Sequence, residues 1–474
     1  MNRPVVEQLD AAPDVMSALT AVSGMRCPLL LDSALRSQGL GRYSFLTADP
    51  FEFECLSNAP FGSDPLGRLK QTWRQFAAET IPDLPPFQGG AAGLAGYELA
   101  TAWEKLPSAT WDEFQLPVLA AGLYDWVLAW DHLHDQAWII AHGFPETDPR
   151  RRQEQAHARI RQIRNQLASA QQQPTDRHLD KWHSADWPAS GWAKQWPAPG
   201  IPGLTSDFSR QLYLSAVERV IEYIRAGDIF QANLSQRLLC QSQQSPLQVY
   251  NQLRHKNPAP FSGFLAVDDW AVISASPERF VRVRDQQVAT RPIKGTRQRR
   301  PQPEADLFAR DELRESEKDQ AENVMIVDLL RNDLSRVCQP HSIQVPELCT
   351  VETYETVQHL VSEVHGTLIS ECDAWDLLQA VFPGGSITGA PKIRSMQIIA
   401  NLEPTVRGPY CGSLFYLGFD GQLDSNILIR TWVTRRGWFQ CGVGGGIVAQ
   451  SDPASEYDET LHKAEGMLRA LRSD

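Results

Sequence analysis

The sequence predicts an α+β fold, with antiparallel sheets and helices packed outside them. Two observations predict it. Strand-like and helix-like segments follow one another without the regular alternation that a parallel doubly wound sheet needs. The strand-like runs are short and bounded by Gly and Pro turns, as in YSFLTADP (43–50) and GGAAGLAGYE (89–98). At 474 residues the chain can fill a large core.

The elements follow in order. Leu123 to Trp130 and then Ala137 to Ala141 read as a hairpin of strands, and residues 149–172 carry a helical pattern. Residues 1–172 are therefore expected as an N-terminal domain. Segment 173–204 is rich in Trp, Pro and Gly without a period and is expected as a linker. Residues 205–474 form the expected catalytic domain. In it, Tyr213, Val217, Val220 and Ile224 share a helical face, with Ser209 as N-cap and Gly227 past the end. Strands are expected at 228–239, 262–283, 409–418 and 425–434, and helices at 317–335 and 455–471. CGVGGGIV (441–448) reads as a Gly-rich strand or turn.

The formal charge of −12 argues against nucleic acid as a partner, since phosphate contacts need a basic face. The N-terminus lacks the features of a signal peptide, and no apolar run is long enough to span a bilayer. Eight scattered cysteines with no CxxC pair suit a reducing compartment. A cytoplasmic protein without membrane partners is expected.

Two acidic segments stand out. In SEKDQAENVMIVDLLRND (316–333), Asp319 and Glu322 lie three apart and share a helix face; Glu456 and Glu459 repeat that spacing in SEYDETLHKAE (455–465). Two such pairs, opposed, can hold Mg²⁺, a hard cation that takes oxygen ligands. Taken singly, each segment reads first as helix-capping chemistry, with Ser316 and Ser455 at the caps. Glu278, at the end of an apolar strand in SASPERF (274–280), can act as a general acid if burial raises its pKa. Lys294 in TRPIKGTRQRR (290–300) can act as a nucleophile if desolvation or the neighbouring Arg291, Arg297, Arg299 and Arg300 hold it neutral. FPGGSITGAPK (382–392) has P-loop spacing of Gly384 and Gly389, but Ala390-Pro391 stands where Lys-Ser/Thr is required, which excludes a P-loop nucleotide site. Arg430 can pair with a carboxylate in bidentate fashion.

Together these segments, with GDIFQANLSQR (227–237), RPIKGT (291–296), GSLFYLGFDGQLDSNILIR (412–430) and GVGGGIV (442–448), resemble the chorismate-utilising enzymes, in the family's order and over nearly all of 205–470. LLLDSALRSQGLGRYSFL (29–46) and PFQGGAAGLAGYE (86–98) look like the family's amino-transferring branch. The resemblance implies the two-layered sandwich of antiparallel sheets of the anthranilate synthases, with the active site in a cleft. It implies Mg²⁺ as cofactor, Glu322 and Glu459 as direct ligands, and Asp319 and Glu456 as outer or water-mediated ones. The family commonly has Glu at position 319. Glu278 matches the general acid that helps the ring hydroxyl leave. Thr388, Tyr416, Arg430, Lys463, Gly445 and Gly446 match the pocket for the carboxylates of chorismate. His359 matches a histidine near the ring, and Gly295 and Thr296, just after the lysine, are expected with it among the substrate-binding residues. The segment around Asp32 and Ser33 resembles the tryptophan pocket of the family's N-terminal half.

Two positions separate the family's chemistries. Water-adding branches resemble each other in having a lysine base where this chain has Gln231, and a glutamine cannot abstract that proton. Anthranilate synthases typically read PIAGT where this chain has PIKGT; Lys294 is similar to the nucleophile of the aminodeoxychorismate synthases. The resemblance thus implies amination of chorismate through a covalent intermediate on Lys294. Ammonia would come from a separate glutamine amidotransferase subunit, and the product would lead to 4-aminobenzoate and folate. Anthranilate synthase chemistry is the alternative.

Overall fold

A computed structural model describes residues 3–36, 40–170, 191–353 and 357–472. Most of the expected linker, 173–190, lies outside the described residues, as does the side chain of Thr296.

Among the described residues, 13 strands form one sheet and 10 form a second, and every ladder between named strands is antiparallel. Alternation along the strands sorts side chains into layers. In Leu29–Asp32, Leu29 joins a core between the sheets while Leu30 joins a core under the outer helices. In Ser413–Gly418, Leu414 and Tyr416 face the other sheet, and Phe415 and Leu417 face outward. Helices Val15–Val22, Pro149–Ala170, Pro246–Lys256 and Pro453–Leu471 cover the first sheet; Gly67–Trp73, Glu317–Leu334 and Ala374–Val381 cover the second. The expected sandwich with helices outside is the observed one.

Both sheets draw strands from both halves of the chain. Leu29–Asp32 pairs with Phe261–Val267, and Gly90–Ala95 pairs with Ser413–Gly418. A buried bidentate ion pair also joins the halves, from Arg237 Nη1 and Nη2 to Glu113 at 2.7 and 2.9 Å. No helix among the described residues is long and apolar enough to cross a membrane.

Local chemistry explains where expectation and structure agree. Helix Arg210–Arg225 starts where Ser209 Oγ accepts from Leu212 N, and ends before Gly227, whose φ of +82° suits only glycine comfortably. It also explains the differences. The apolar run from Leu123 is two strands: Leu119–Tyr124 belongs to the second sheet and Trp126–Asp131 to the first, where it makes the expected hairpin with Gln136–Ala141. The chain changes sheets at Asp125, whose carboxyl is buried and pushed up to about 6 by burial. The helix expected from 455 begins at Pro453, because Asp452 rather than Ser455 supplies the cap, accepting from Ser455 N at 2.9 Å. The strand expected over 425–434 is interrupted. It resolves into Leu423–Asn426 and Thr431–Arg435, with Arg430 in the break at φ +50°.

Candidate active site

A cleft of about 1690 Å³, counting its open mouth, lies between the edge strand Ile293–Gln298 of the second sheet and the strand Trp438–Ile447 of the first. The two acidic helices, Glu317–Leu334 and Pro453–Leu471, flank it. Residues from seven segments meet there: Glu278; Lys294 and Gly295; Asp319 and Glu322; His359; Arg430; Gly445 and Gly446; and Glu456, Glu459 and Lys463.

The edge strand aims Lys294 by a bulge. Its register against Val357–Thr367 shifts between Lys294 and Thr296, and the extra residue, Gly295, has φ +71°. A Cβ there would lie 2.8 Å from Leu313 and 2.9 Å from the Asp319 carboxyl carbon, so only glycine fits. The Lys294 ammonium or amine donates to the Ser386 carbonyl at 2.9 Å, and Ser386 Oγ donates to Glu278 Oε1 at 2.9 Å. One serine therefore bridges Lys294 and Glu278. Burial lowers the Lys294 pKa, against the opposing pull of Glu322 and Glu278. The cation that adds to this lowering is Lys463, from a distant segment, and three of the four arginines near Lys294 in sequence are engaged with acids. Arg291 pairs with Glu352, Arg297 with Glu312 and Asp319, and Arg299 with Asp306. Burial raises the Glu278 carboxyl above its ordinary value, with Lys294 pulling the other way. Both shifts favour the neutral forms that attack and proton donation require.

On the facing wall, burial raises Glu322, and the Asp319 and Glu456 charges add to the rise. Burial would also raise Glu459, but the Lys463 ammonium, 2.6 Å away, brings it below the usual carboxylate value. Ser451 Oγ donates to Glu456 at 2.6 Å, and Lys318 stands 3.5 Å from the same oxygen. Among the described residues, no three acidic, His or Cys groups already form a tight ligand cage. The donor chemistry nonetheless fits a hard divalent cation: Glu322, Glu456, Glu459 and Asp319 give carboxylate oxygens to one cleft. Gly445 leaves room for them, since a Cβ there would sit 3.2 Å from Glu456 Oε2 and 3.7 Å from Glu459 Oε1.

Arg430 reaches the cleft from a left-handed backbone conformation, uncommon for a residue with a Cβ and typical of functional sites. Its guanidinium has no carboxylate partner among the described residues, and burial alone lowers its pKa. His359 is buried beside it; burial first, and then the Arg430 charge, push it down to about 4, so it is a neutral imidazole at neutral pH. Lys463 also donates to the Gly444 carbonyl at 2.9 Å.

Two expected substrate contacts lie elsewhere. Tyr416 faces the space between the sheets, stacked on Phe87 with ring centroids 4.7 Å apart, because its strand alternates and this position falls on the inner face. Thr388 is fully buried behind the cleft, its hydroxyl donating to the Gly384 and Gly385 carbonyls. The cleft wall contains Tyr410, Ser386 and Asn233 instead. Ser386 and Asn233 lay inside quoted motifs, but nothing in their spacing set them apart. Gln231 is buried with its amide nitrogen against Gly446, where a Cβ would come within 1.8 Å of it. Asp32 and Ser33 line a different cavity, with Tyr43, Phe45 and Tyr416. There the Asp32 carboxylate already takes bonds from Ser44, Tyr250 and Arg254 at 2.8, 2.9 and 2.7 Å.

The chain is 37% identical to aminodeoxychorismate synthase component 1 of Klebsiella aerogenes, over 100% of both chains. It is 37% identical to that of Escherichia coli K12, over 98% of this chain and 96% of the relative. It is also 40% identical to anthranilate synthase component 1 of Thermus thermophilus, over 86% and 82%, so identity alone does not separate the two branches. Among solved structures, anthranilate synthase component I of Streptococcus pneumoniae superposes with a TM-score of 0.73 at 30% identity, covering 92% of this chain and 93% of that one. The family model described as chorismate binding enzyme matches residues 39–469, and the chain belongs to that family of enzymes.

Proposed function

We propose that this enzyme aminates chorismate at ring carbon 4 to give 4-amino-4-deoxychorismate, by way of a covalent intermediate on Lys294. The observation that carries the reading is the Ser386 bridge, which sets a desolvated amine and a buried carboxylic acid side by side in the cleft.

Arg430, with no carboxylate partner among the described residues, takes one substrate carboxylate, and Lys463 adds a second positive group. Mg²⁺, held by Glu322 and Glu459 with Asp319 and Glu456 outside them, would supply positive charge to the other carboxylate. Neutral His359, whose ring already bonds the Gly295 backbone, stands near the substrate ring. The Lys294 amine then adds at ring carbon 2, both conjugated ring double bonds shift along the ring, and the carbon–oxygen bond at carbon 4 breaks. Glu278 gives its proton to the departing hydroxyl, which leaves as water. Ammonia adds at carbon 4 and gives up one proton, which restores Glu278; both double bonds return, and the bond to Lys294 breaks, restoring the amine. Two displacements replace one harder step. Gln231 supports amination over hydration, because a buried amide against Gly446 supplies no base for water. The relatives named as component 1 point to a second subunit; a glutamine amidotransferase that releases ammonia fits the chemistry.

Intact mass of the protein with chorismate, Mg²⁺ and no ammonia tests this. A mass increase of chorismate less one water, mapped to Lys294, is expected. Anthranilate fluorescence appearing with ammonium and no added lyase would place the chain in the other branch.

A further inference from the structure

The two acidic helices flank the cleft from opposite layers. Glu317–Leu334 covers the second sheet and Pro453–Leu471 the first. Among the described residues one hydrogen-bonded ion pair joins them, from the Lys318 ammonium to Glu456 Oε1 at 3.5 Å.

Local chemistry does not account for a lysine at this position. Lys318 lies in the first turn of its helix, where the backbone dipole disfavours a cation and favours the Glu317 and Asp319 on either side. Glu322 stands four residues on, but lysine before glutamate is the weaker order for such a pair. The stronger partner is across the cleft. The Glu456 carboxylate is buried, with the neutral Ser451 hydroxyl as its other partner, and a buried charge needs a counter-charge. Lys318 is the one cation paired with it among the described residues.

The other cations at the mouth are committed. Arg297 pairs with Glu312 and Asp319; Lys463 holds Glu459 at 2.6 Å and donates to the Gly444 carbonyl. Lys318 acts on three of the four carboxylates at once, Glu456 first and then Glu322 and Glu459. Its side chain is 48% exposed, and its flexible stem lets the ammonium leave for solvent. A cation held by Glu322 and Glu459 would join the same two helices that Lys318 and Glu456 join.

We propose that Lys318 is a built-in competitor for the metal: its ammonium links the two acidic helices through Glu456, and Mg²⁺ takes over that link by displacing it. The inference rests on the reading that these carboxylates hold Mg²⁺. The exchange keeps the cleft walls joined with or without the metal, and it weakens Mg²⁺ binding by as much as the ammonium contact stabilises the metal-free protein.

The test is Lys318→Met in the full chain without chorismate, with Mg²⁺ affinity measured by calorimetry and urea midpoints measured in EDTA and in saturating Mg²⁺. The variant is expected to bind Mg²⁺ about two- to five-fold more tightly, the range of a part-exposed ion pair. Its midpoint should fall below wild type in EDTA and match wild type in Mg²⁺, whereas Lys318→Arg, which keeps the charge, should stay near wild type in both. Lys318→Gln replaces the Met variant if that protein does not fold. A midpoint lowered equally in EDTA and Mg²⁺ marks a plain structural pair and overturns the proposal. An unchanged midpoint in EDTA overturns it too, as does Mg²⁺ affinity that stays the same or weakens. Failure of the metal reading itself shows separately, as wild-type protein that takes up no Mg²⁺, and removes this proposal with it.

Discussion

Arg430→Gly separates what this residue does for the ligand from what it costs the fold. At φ +50°, a residue with a Cβ is strained by about 1–2 kcal/mol, which glycine relieves. Glycine's freer unfolded chain gives back about 0.4–1 kcal/mol. No ion pair is lost, because the guanidinium has no acidic partner among the described residues. The ligand-free enzyme should therefore be stabilised by roughly 0–1.5 kcal/mol, summing those two terms. Binding moves the opposite way. A hydrogen bond to a charged group is worth about 1.5–3 kcal/mol. At about 1.4 kcal/mol per tenfold, chorismate should bind about 10–150 times more weakly. Arg430→Met is the control: it keeps the strain and loses the charge, so it should match the binding defect without the gain in stability. Urea unfolding of the ligand-free protein and chorismate titration measure the two effects. Arg430→Gly that is clearly less stable than wild type, or Arg430→Met that binds chorismate normally, would refute the reasoning.

Further expectations concern the acid, the nucleophile and the fold. Glu278→Gln keeps the shape but removes the proton, and should lower kcat about 10²–10⁴-fold with little change in chorismate KM; a loss under tenfold would exclude Glu278 as general acid. Glu278 is shifted up and Lys294 down, so kcat/KM should be bell-shaped in pH, with both limbs belonging to the coupled pair. Lys294→Ala should abolish both the adduct and amination, and amination at the wild-type rate would exclude the covalent route. His142 donates from Nε2 to the Gln88 carbonyl, and burial pushes it down to about 4. The unfolded chain binds a proton between pH of about 6.5 and 4 that the folded protein refuses, so stability falls as pH drops through that window. His142→Gln should therefore narrow the difference between urea midpoints at pH 7 and pH 4.5, and an unchanged difference would show that His142 contributes nothing to acid sensitivity.

Much of the architecture was legible in the sequence because it is local. Ser209 and Gly227 bracket a helix by hydrogen bonding and backbone freedom that depend on near neighbours alone. The pairs Asp319/Glu322 and Glu456/Glu459 follow from helical spacing, and the structure brings both to one cleft. What escaped depends on direction and on distant packing. Tyr416 sits in a strand whose existence was clear, yet which face looks toward the cleft depends on the opposite sheet. The left-handed Arg430 leaves no trace in a run of apolar residues, because non-glycine residues rarely adopt that conformation. Asp125 breaks an apolar run that local pattern reads as continuous; the chain changes sheets there. Ser386 joins Lys294 to Glu278 only because three segments, 92 and 108 residues apart from it in sequence, converge.

The pairing of Gly90–Ala95 with Ser413–Gly418 has a consequence for synthesis of the protein. Roughly 320 residues separate the two strands, so at about 5–20 residues per second the first waits some 15–60 seconds for its partner to be made. During that interval one edge of Gly90–Ala95 can pair with Leu119–Tyr124, but the other has no native neighbour to bond with. Leu29–Asp32 waits in the same way for Phe261–Val267. The nascent chain thus carries open strand edges that invite association with other chains, and a ribosome-bound holdase covering them would matter more to yield here than in a protein that folds half by half.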